Sequence, residues 1–111
     1  MTNRNIPFLV LTTTVAIVLA APSALSAQNA EANYKAKCAG CHGADGKGNT
    51  APGKALGVHD FTSETVTKMS DADLIGAVAA GKNKMPAYGK SLKDAEIKDL
   101  VAYVRDLGKQ K

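Results

Sequence analysis

Cys38 and Cys41 are separated by Ala39 and Gly40, and His42 follows directly. The chain holds two cysteines and two histidines in all, the second histidine being His59. Three chemistries use these residue types. A Cys-x-x-Cys pair cycles between dithiol and disulfide in redox proteins. Cysteine and histidine together bind zinc. Cys-x-x-Cys-His is also the attachment signature of c-type haem: two thiols add across the vinyl groups of the porphyrin, and the next residue presents an imidazole nitrogen to the iron. The third chemistry needs all three residues at this spacing. A thioredoxin-type site needs alternating strands and helices, and no β-branched strand run follows residue 26. Zinc needs a fourth ligand at regular spacing, and His59 stands alone. A structural disulfide across two residues would constrain little chain entropy.

The elements that would position this motif read as helices. The first is expected over residues 30–38, leading into Cys38. Residues 43–57 are rich in glycine (Gly43, Gly46, Gly48, Gly53 and Gly57) and read as a wrapping loop with ordinary turn chemistry. They form no phosphate cradle, because no Gly-Lys-Ser/Thr follows them. A short helix is expected within residues 61–69. Ser70 reads as the cap of a helix over residues 71–80, with Asp73 at its third position and Met69 and Leu74 as a hydrophobic staple. Leu74, Ile75 and Val78 share one face, and Gly81 follows. The last helix shows the plainest pattern. Ile97, Leu100, Val101, Val104 and Leu107 recur three or four residues apart, and Gly108 reads as the stop. Its start is less regular: Asp94 would leave Lys93 at the cap, while Ser91 offers a cap one turn earlier. The fold class is therefore all-α, with three to four helices and long loops.

Residues 1–26 differ in character. Arg4 is their one charge, residues 8–21 are apolar apart from Thr12, Thr13 and Thr14, and Pro22 and small residues follow. This is the pattern of a cleaved secretory peptide, with cleavage after Ser26 or Ala27. The apolar run is shorter than the ~20 residues a spanning helix needs, so no stable membrane anchor is expected after cleavage. The domain is then residues 27–111, too short for more than one core. The composition, 45% hydrophobic and 22% charged, excludes a disordered chain. There is no Trp, and one of the two phenylalanines, Phe8, lies in the leader. A domain so poor in aromatics needs a staple such as a bound cofactor.

Residues 30–46, the Lys84-Met85-Pro86-Ala87-Tyr88 segment and residues 99–107 together resemble a class I c-type cytochrome, similar to the short soluble mono-haem members of bacterial periplasms and photosynthetic lumens. The resemblance covers essentially the whole of residues 27–111. It implies the cytochrome c fold around one haem c, held through Cys38 and Cys41, with His42 and Met85 as the iron ligands. Gly81 and Pro86 place Met85 in a loop between helices. Met69 is the competing sulfur, but the staple accounts for it, and His59 reads as a surface turn residue. The resemblance also pairs an aromatic four residues before the first cysteine with one on the last helix, here Tyr34 with Tyr103, where small Ala30 permits close approach and Leu100 lies alongside. It assigns the other nitrogen of His42 to a proline carbonyl, for which Pro52 is the candidate, although Gly53-Lys54-Ala55-Leu56 departs from the usual spacing. Two roles fit Tyr88: a hydrogen bond to a haem propionate, or lining of the pocket.

With both axial positions filled, no vacant site remains for oxygen or peroxide chemistry, and one-electron transfer is favoured. The expected function is a diffusible electron carrier, not an enzyme, in a periplasm or thylakoid lumen. The alternative is a haem sensor or peroxidase-like enzyme in which Met85 detaches. The formal net charge of +4 is too small to indicate nucleic acid. Lys35, Lys37, Lys82, Lys84 and Lys90 flank the two motifs. They read either as a ring around the haem edge, suited to acidic redox partners, or as solvated surface. A monomer is expected.

Overall fold

The structure, a computed structural model, describes residues 15–17 and 23–110. Most of the expected cleaved peptide, residues 1–14 and 18–22, lies outside the described residues. Among the described residues there are six helices and no β-strand.

Helix α1 (Ser23–Lys37) is longer than expected and begins before the proposed cleavage position. Its composition explains the extension: Ala24, Ala27, Ala30, Ala32 and Ala36 are strong helix formers. Lys35 and Lys37 occupy its last turn, where cations complement the helix dipole. A single-turn helix, α2 (Ala39–His42), follows after one residue. Residues 43–57 depart from the expected loop, because they contain α3 (Ala51–Leu56). Thr50 caps it by accepting from the Gly53 amide at 2.8 Å, Pro52 sits at its start, and Gly57 ends it. These are ordinary start and stop devices, obscured in the sequence by the density of glycine around them. The expected short helix within residues 61–69 is α4 (Glu64–Thr67).

Helix α5 (Asp71–Ala80) matches its expected limits, and the Ser70 hydroxyl accepts from the Asp73 amide at 3.1 Å. Helix α6 (Asp94–Gly108) has Lys93 at its cap position. Lysine offers no acceptor to the helix amides. The compensation runs the other way: the Glu96 carboxylate accepts from the Lys93 amide at 2.8 Å. Ser91 is not the cap, because α6 begins only at Asp94; its hydroxyl donates back to the Tyr88 carbonyl. Gly108 is the last residue of α6, not its stop. A Cβ there would approach the Phe61 carbonyl oxygen to 2.7 Å, so glycine allows the end of α6 to lie against residue 61.

The core lies where α1 crosses α6. Tyr34, Ile97 and Leu100 are fully buried, with Val101, Leu107 and Ala30 close behind. The apolar spacing of α6 therefore faces inward, with Val104 half-buried at its edge. Tyr34 and Tyr103 meet with ring centroids 5.1 Å apart, the expected pairing of the terminal helices. Arg105 fastens α4 and α5 to α6. Its guanidinium donates to the Val66 and Met69 carbonyls and to the Asp71 carboxylate. That places three side-chain bonds at one junction, adding a second donor to the Val66 carbonyl, which also accepts from the Met69 amide.

Candidate functional site

Cys38, Cys41 and His42 lie on one helical turn at the end of α1. The Cys41 and His42 amides both donate to the Cys38 carbonyl, at 3.2 and 3.0 Å. Both cysteines are free thiols and half-buried. Burial pushes the Cys38 thiol above its ordinary value, with Lys37 pulling weakly the other way. Three outside contacts fix this turn. The Tyr34 hydroxyl donates to the Gly43 carbonyl at 2.6 Å, so the core tyrosine also pins the residue after His42. The Thr50 hydroxyl donates to the Cys41 carbonyl at 2.7 Å while accepting from Gly53. Gly53 is buried, and any side chain there would collide with the Cys41 carbonyl and with Thr50. Thus α3 docks directly on the attachment turn, and its glycine is a point of close approach.

The His42 ring is mostly buried, and desolvation holds its pKa below the ordinary value. The neutral imidazole, the form that ligates a metal, is therefore favoured. The Phe61 ring stacks on it with centroids 4.9 Å apart and an interplanar angle of 29°. Phe61 in turn meets Tyr34 edge-on at 6.3 Å. An aromatic row thus runs from Tyr103 through Tyr34 and Phe61 to His42. His42 Nδ1 is buried and has no hydrogen-bond partner. The expected bond to the Pro52 carbonyl is absent: Pro52 is exposed in the first turn of α3, where backbone carbonyls point along the helix axis toward the next turn.

Met85 is half-buried in the segment between α5 and α6. Lys82 and Met85 exchange two backbone hydrogen bonds, at 2.9 and 3.3 Å, closing a tight turn with Asn83 at φ 54°. At the exit of this turn the Tyr88 and Gly89 amides donate to the Val78 and Ala79 carbonyls, near the C-terminal end of α5. The Tyr88 ring is half-buried at the core's edge, and its hydroxyl donates to the Lys37 carbonyl at 3.2 Å. Met69 packs half-buried against the core as expected of a staple, and His59 is exposed.

Phe61, Thr50 and Arg105 are the residues that sequence reading passed over. Phe61 had a signal: it is the one phenylalanine outside the leader, and it follows Asp60, whose carboxylate accepts from both the amide and the hydroxyl of Thr62.

Two free thiols and a neutral, incompletely bonded imidazole on one turn fit covalent haem attachment. The all-helical architecture does not fit a thioredoxin-type dithiol. The family model described as cytochrome C oxidase, cbb3-type, subunit III, matches residues 25–104. A cytochrome c6 from Bumilleriopsis filiformis is 34% identical over 83 residues, covering 75% of this chain and 93% of that protein. The chain belongs to the class I c-type cytochromes. A second cytochrome c6, from Nostoc sp., is 41% identical over 76 residues, covering 68% of this cytochrome and 64% of the relative. The cbb3-type cytochrome c oxidase subunit CcoP of Azospirillum brasilense is 34% identical over 87 residues. That alignment covers 77% of this cytochrome but 30% of the subunit. The solved structure of the KustC0563 c-type cytochrome superimposes with a TM-score of 0.66 at 32% identity, covering 72% of this chain and 98% of that one. The architecture is thus the all-α cytochrome c fold, and membership of this family implies covalently bound haem c.

Proposed function

We propose that this cytochrome is an exported one-electron carrier, with Cys38 and Cys41 holding haem c and His42 and Met85 as its axial ligands. When bound, haem c supplies a ferric/ferrous couple. The chain's own residues hold that couple in one geometry. Tyr34 and Thr50 fix both sides of the attachment turn, so His42 has little freedom to follow a change in iron charge. Phe61 and burial keep the imidazole neutral and oriented. Met85 offers a soft thioether, which favours the reduced state. Ile75, Val78 and Ala79 of α5 are half-buried apolar side chains at the core's edge, suited to covering an apolar macrocycle.

The observation that carries this reading is the attachment turn itself: two half-buried thiols and the imidazole on one turn, with His42 Nδ1 buried and without a hydrogen-bond partner. The carrier role is favoured over a sensor or peroxidase-like enzyme because the Met85 turn is bonded at its base to α5. The similarity to cytochromes c6 supports the same choice. Export is supported by the leader pattern and by the exposure of Leu25, Ala27, Gln28 and Asn29; from Leu25 onward the first buried residue of α1 is Ala30. Cleavage after Ser26 or Ala27 would therefore shorten α1 without opening the core. The docking partners proposed are redox proteins with acidic surfaces, met by a monomer. Intact-mass measurement after expression with haem-maturation machinery tests the reading. The expected product begins at Ala27 or Gln28 and carries one haem. A mass equal to the bare polypeptide overturns it.

A further inference from the structure

The Lys37 carbonyl belongs to the peptide that joins α1 to Cys38. It lies in the last turn of α1, where carbonyls lack intrahelical donors. The neighbouring carbonyls are occupied: Tyr34 accepts from the Cys38 amide, and Cys38 accepts from Cys41 and His42. The donor that reaches Lys37 comes from 51 residues away, the Tyr88 hydroxyl. No other hydrogen bond among the described residues joins residues 81–88 to residues 23–43. The Tyr88 ring is half-buried and packs at the core's edge together with Cys38. Its backbone amide is meanwhile held by α5. Tyr88 is thus fixed at both ends, to α5 through its backbone and to the attachment segment through its side chain. Met85 lies three residues upstream, in a turn whose own hydrogen bonds are only local.

We propose that Tyr88 is a positioning residue for Met85, a latch that ties the methionine turn to the peptide bearing the first attachment cysteine and so holds the thioether on the iron. This deepens the reading of Met85 as axial ligand and rests on it. The Tyr88–Lys37 bond ties the downstream end of this turn to the attachment segment, and in this proposal it adds its strength to retention of the ligand. A bond between neutral groups shifts such an equilibrium by about threefold to tenfold.

The test is a titration of the ferric holoprotein with imidazole, followed by loss of the thioether–iron absorption band. Tyr88→Phe keeps the ring and removes the donor. It should bind imidazole about threefold to tenfold more tightly than the natural protein. Ser70→Ala, which removes the cap at the other end of α5, should lower the melting temperature without changing imidazole affinity. An unchanged affinity in Tyr88→Phe, or an equal gain in Ser70→Ala, overturns the latch, because the effect would then be absent or merely general destabilisation. The underlying ligand assignment is read separately. If the natural protein lacks the thioether band, both readings fall. If the band is present, and absent in Met85→Ala, an unmoved Tyr88→Phe removes the latch alone.

Discussion

The His42 imidazole is oriented by packing before any bond to a metal is considered. Phe61 stacks against one side of it, and Tyr34 and Thr50 anchor the backbone on either side of its turn. Oriented side chains of this kind need little reorganisation when a ligand bond forms. The two candidate sulfurs contrast with this and with each other. Met69 packs against the core while its carbonyl accepts from Arg105, so it is committed to the α4–α5 junction. Met85 sits in a turn closed on Lys82 and tied at its exit to α5 by the Tyr88 and Gly89 amides, so its side chain is not committed to the core junction that holds Met69. Met85→Ala should therefore abolish the thioether band, lower the reduction potential and allow carbon monoxide to bind the ferrous protein. Met69→Leu, a nearly volume-conserving change, should do none of these and should cost less than about 1.5 kcal/mol of stability. Spectroelectrochemistry of the two variants checks the assignment; loss of the band in the Met69 variant alone would reverse it. The proposed ligand Met85 is marked only by its Met-Pro pair in a loop, whereas the attachment motif was legible in the sequence because covalent chemistry fixes residue type and local spacing. Phe61, Thr50 and Arg105 were not, because each acts through a contact distant in sequence. Pro52 was misassigned for a related reason: its carbonyl's direction depends on α3, which the glycine-rich context hid.

At the scale of elements, the site rests on the crossing of α1 and α6. Tyr34 serves both sides of this arrangement, with its ring against Tyr103 and its hydroxyl on Gly43. Burial drives its pKa far above the ordinary phenol value, so it remains a neutral donor throughout the working pH range. Tyr34→Ala should destabilise the fold by roughly 2–4 kcal/mol, as large-to-small core changes do. Tyr103→Ala should cost less, because Tyr103 is only half-buried. The two rings touch, so the double variant should be non-additive, with a coupling of about 0.5–1.5 kcal/mol. Denaturant unfolding of the holoprotein series measures it, and strict additivity would mean that the rings do not interact. Helix α5 could be read from its Ser70 cap and apolar face, and α6 from its apolar period alone, since Ser91 did not prove to be its cap, nor Gly108 its stop. The one-turn helices α2 and α4 have too few residues to display a period. Helix α3 carried readable signals in Thr50, Pro52 and Gly57, but the surrounding glycines outweighed them.

At the scale of the whole molecule, the question is where another redox protein can approach. Lys35 is paired with Glu31 at 2.5 Å, Lys68 with Glu64 and Lys109 with Asp106. Among the described residues no ion pair involves Lys37, Lys82, Lys84 or Lys90, and all four are exposed. These lysines belong to the attachment segment and to the region around Met85, which the Tyr88–Lys37 bond brings together. Lys47, Lys54, Lys93 and Lys98 are likewise exposed and in no ion pair, so what sets Lys37, Lys82, Lys84 and Lys90 apart is their nearness to the two motifs, while Lys109, near the far end of α6, is compensated. Exposed charges act mainly on encounter, and salt screens them beyond about 10 Å at 0.1 M. Electron exchange with an acidic partner should therefore slow as ionic strength rises. Lys82→Glu and Lys84→Glu should lower the association rate and flatten its salt dependence, leaving the absorption spectrum and reduction potential nearly unchanged. Lys109→Glu should have a smaller effect, since it replaces a charge already paired and remote from Met85. Stopped-flow rates against ionic strength discriminate between the two faces. A flat salt dependence in the natural protein, or equal losses from Lys84→Glu and Lys109→Glu, would show that the lysines around Met85 are ordinary solvated surface and that docking is guided by some other feature of the molecule.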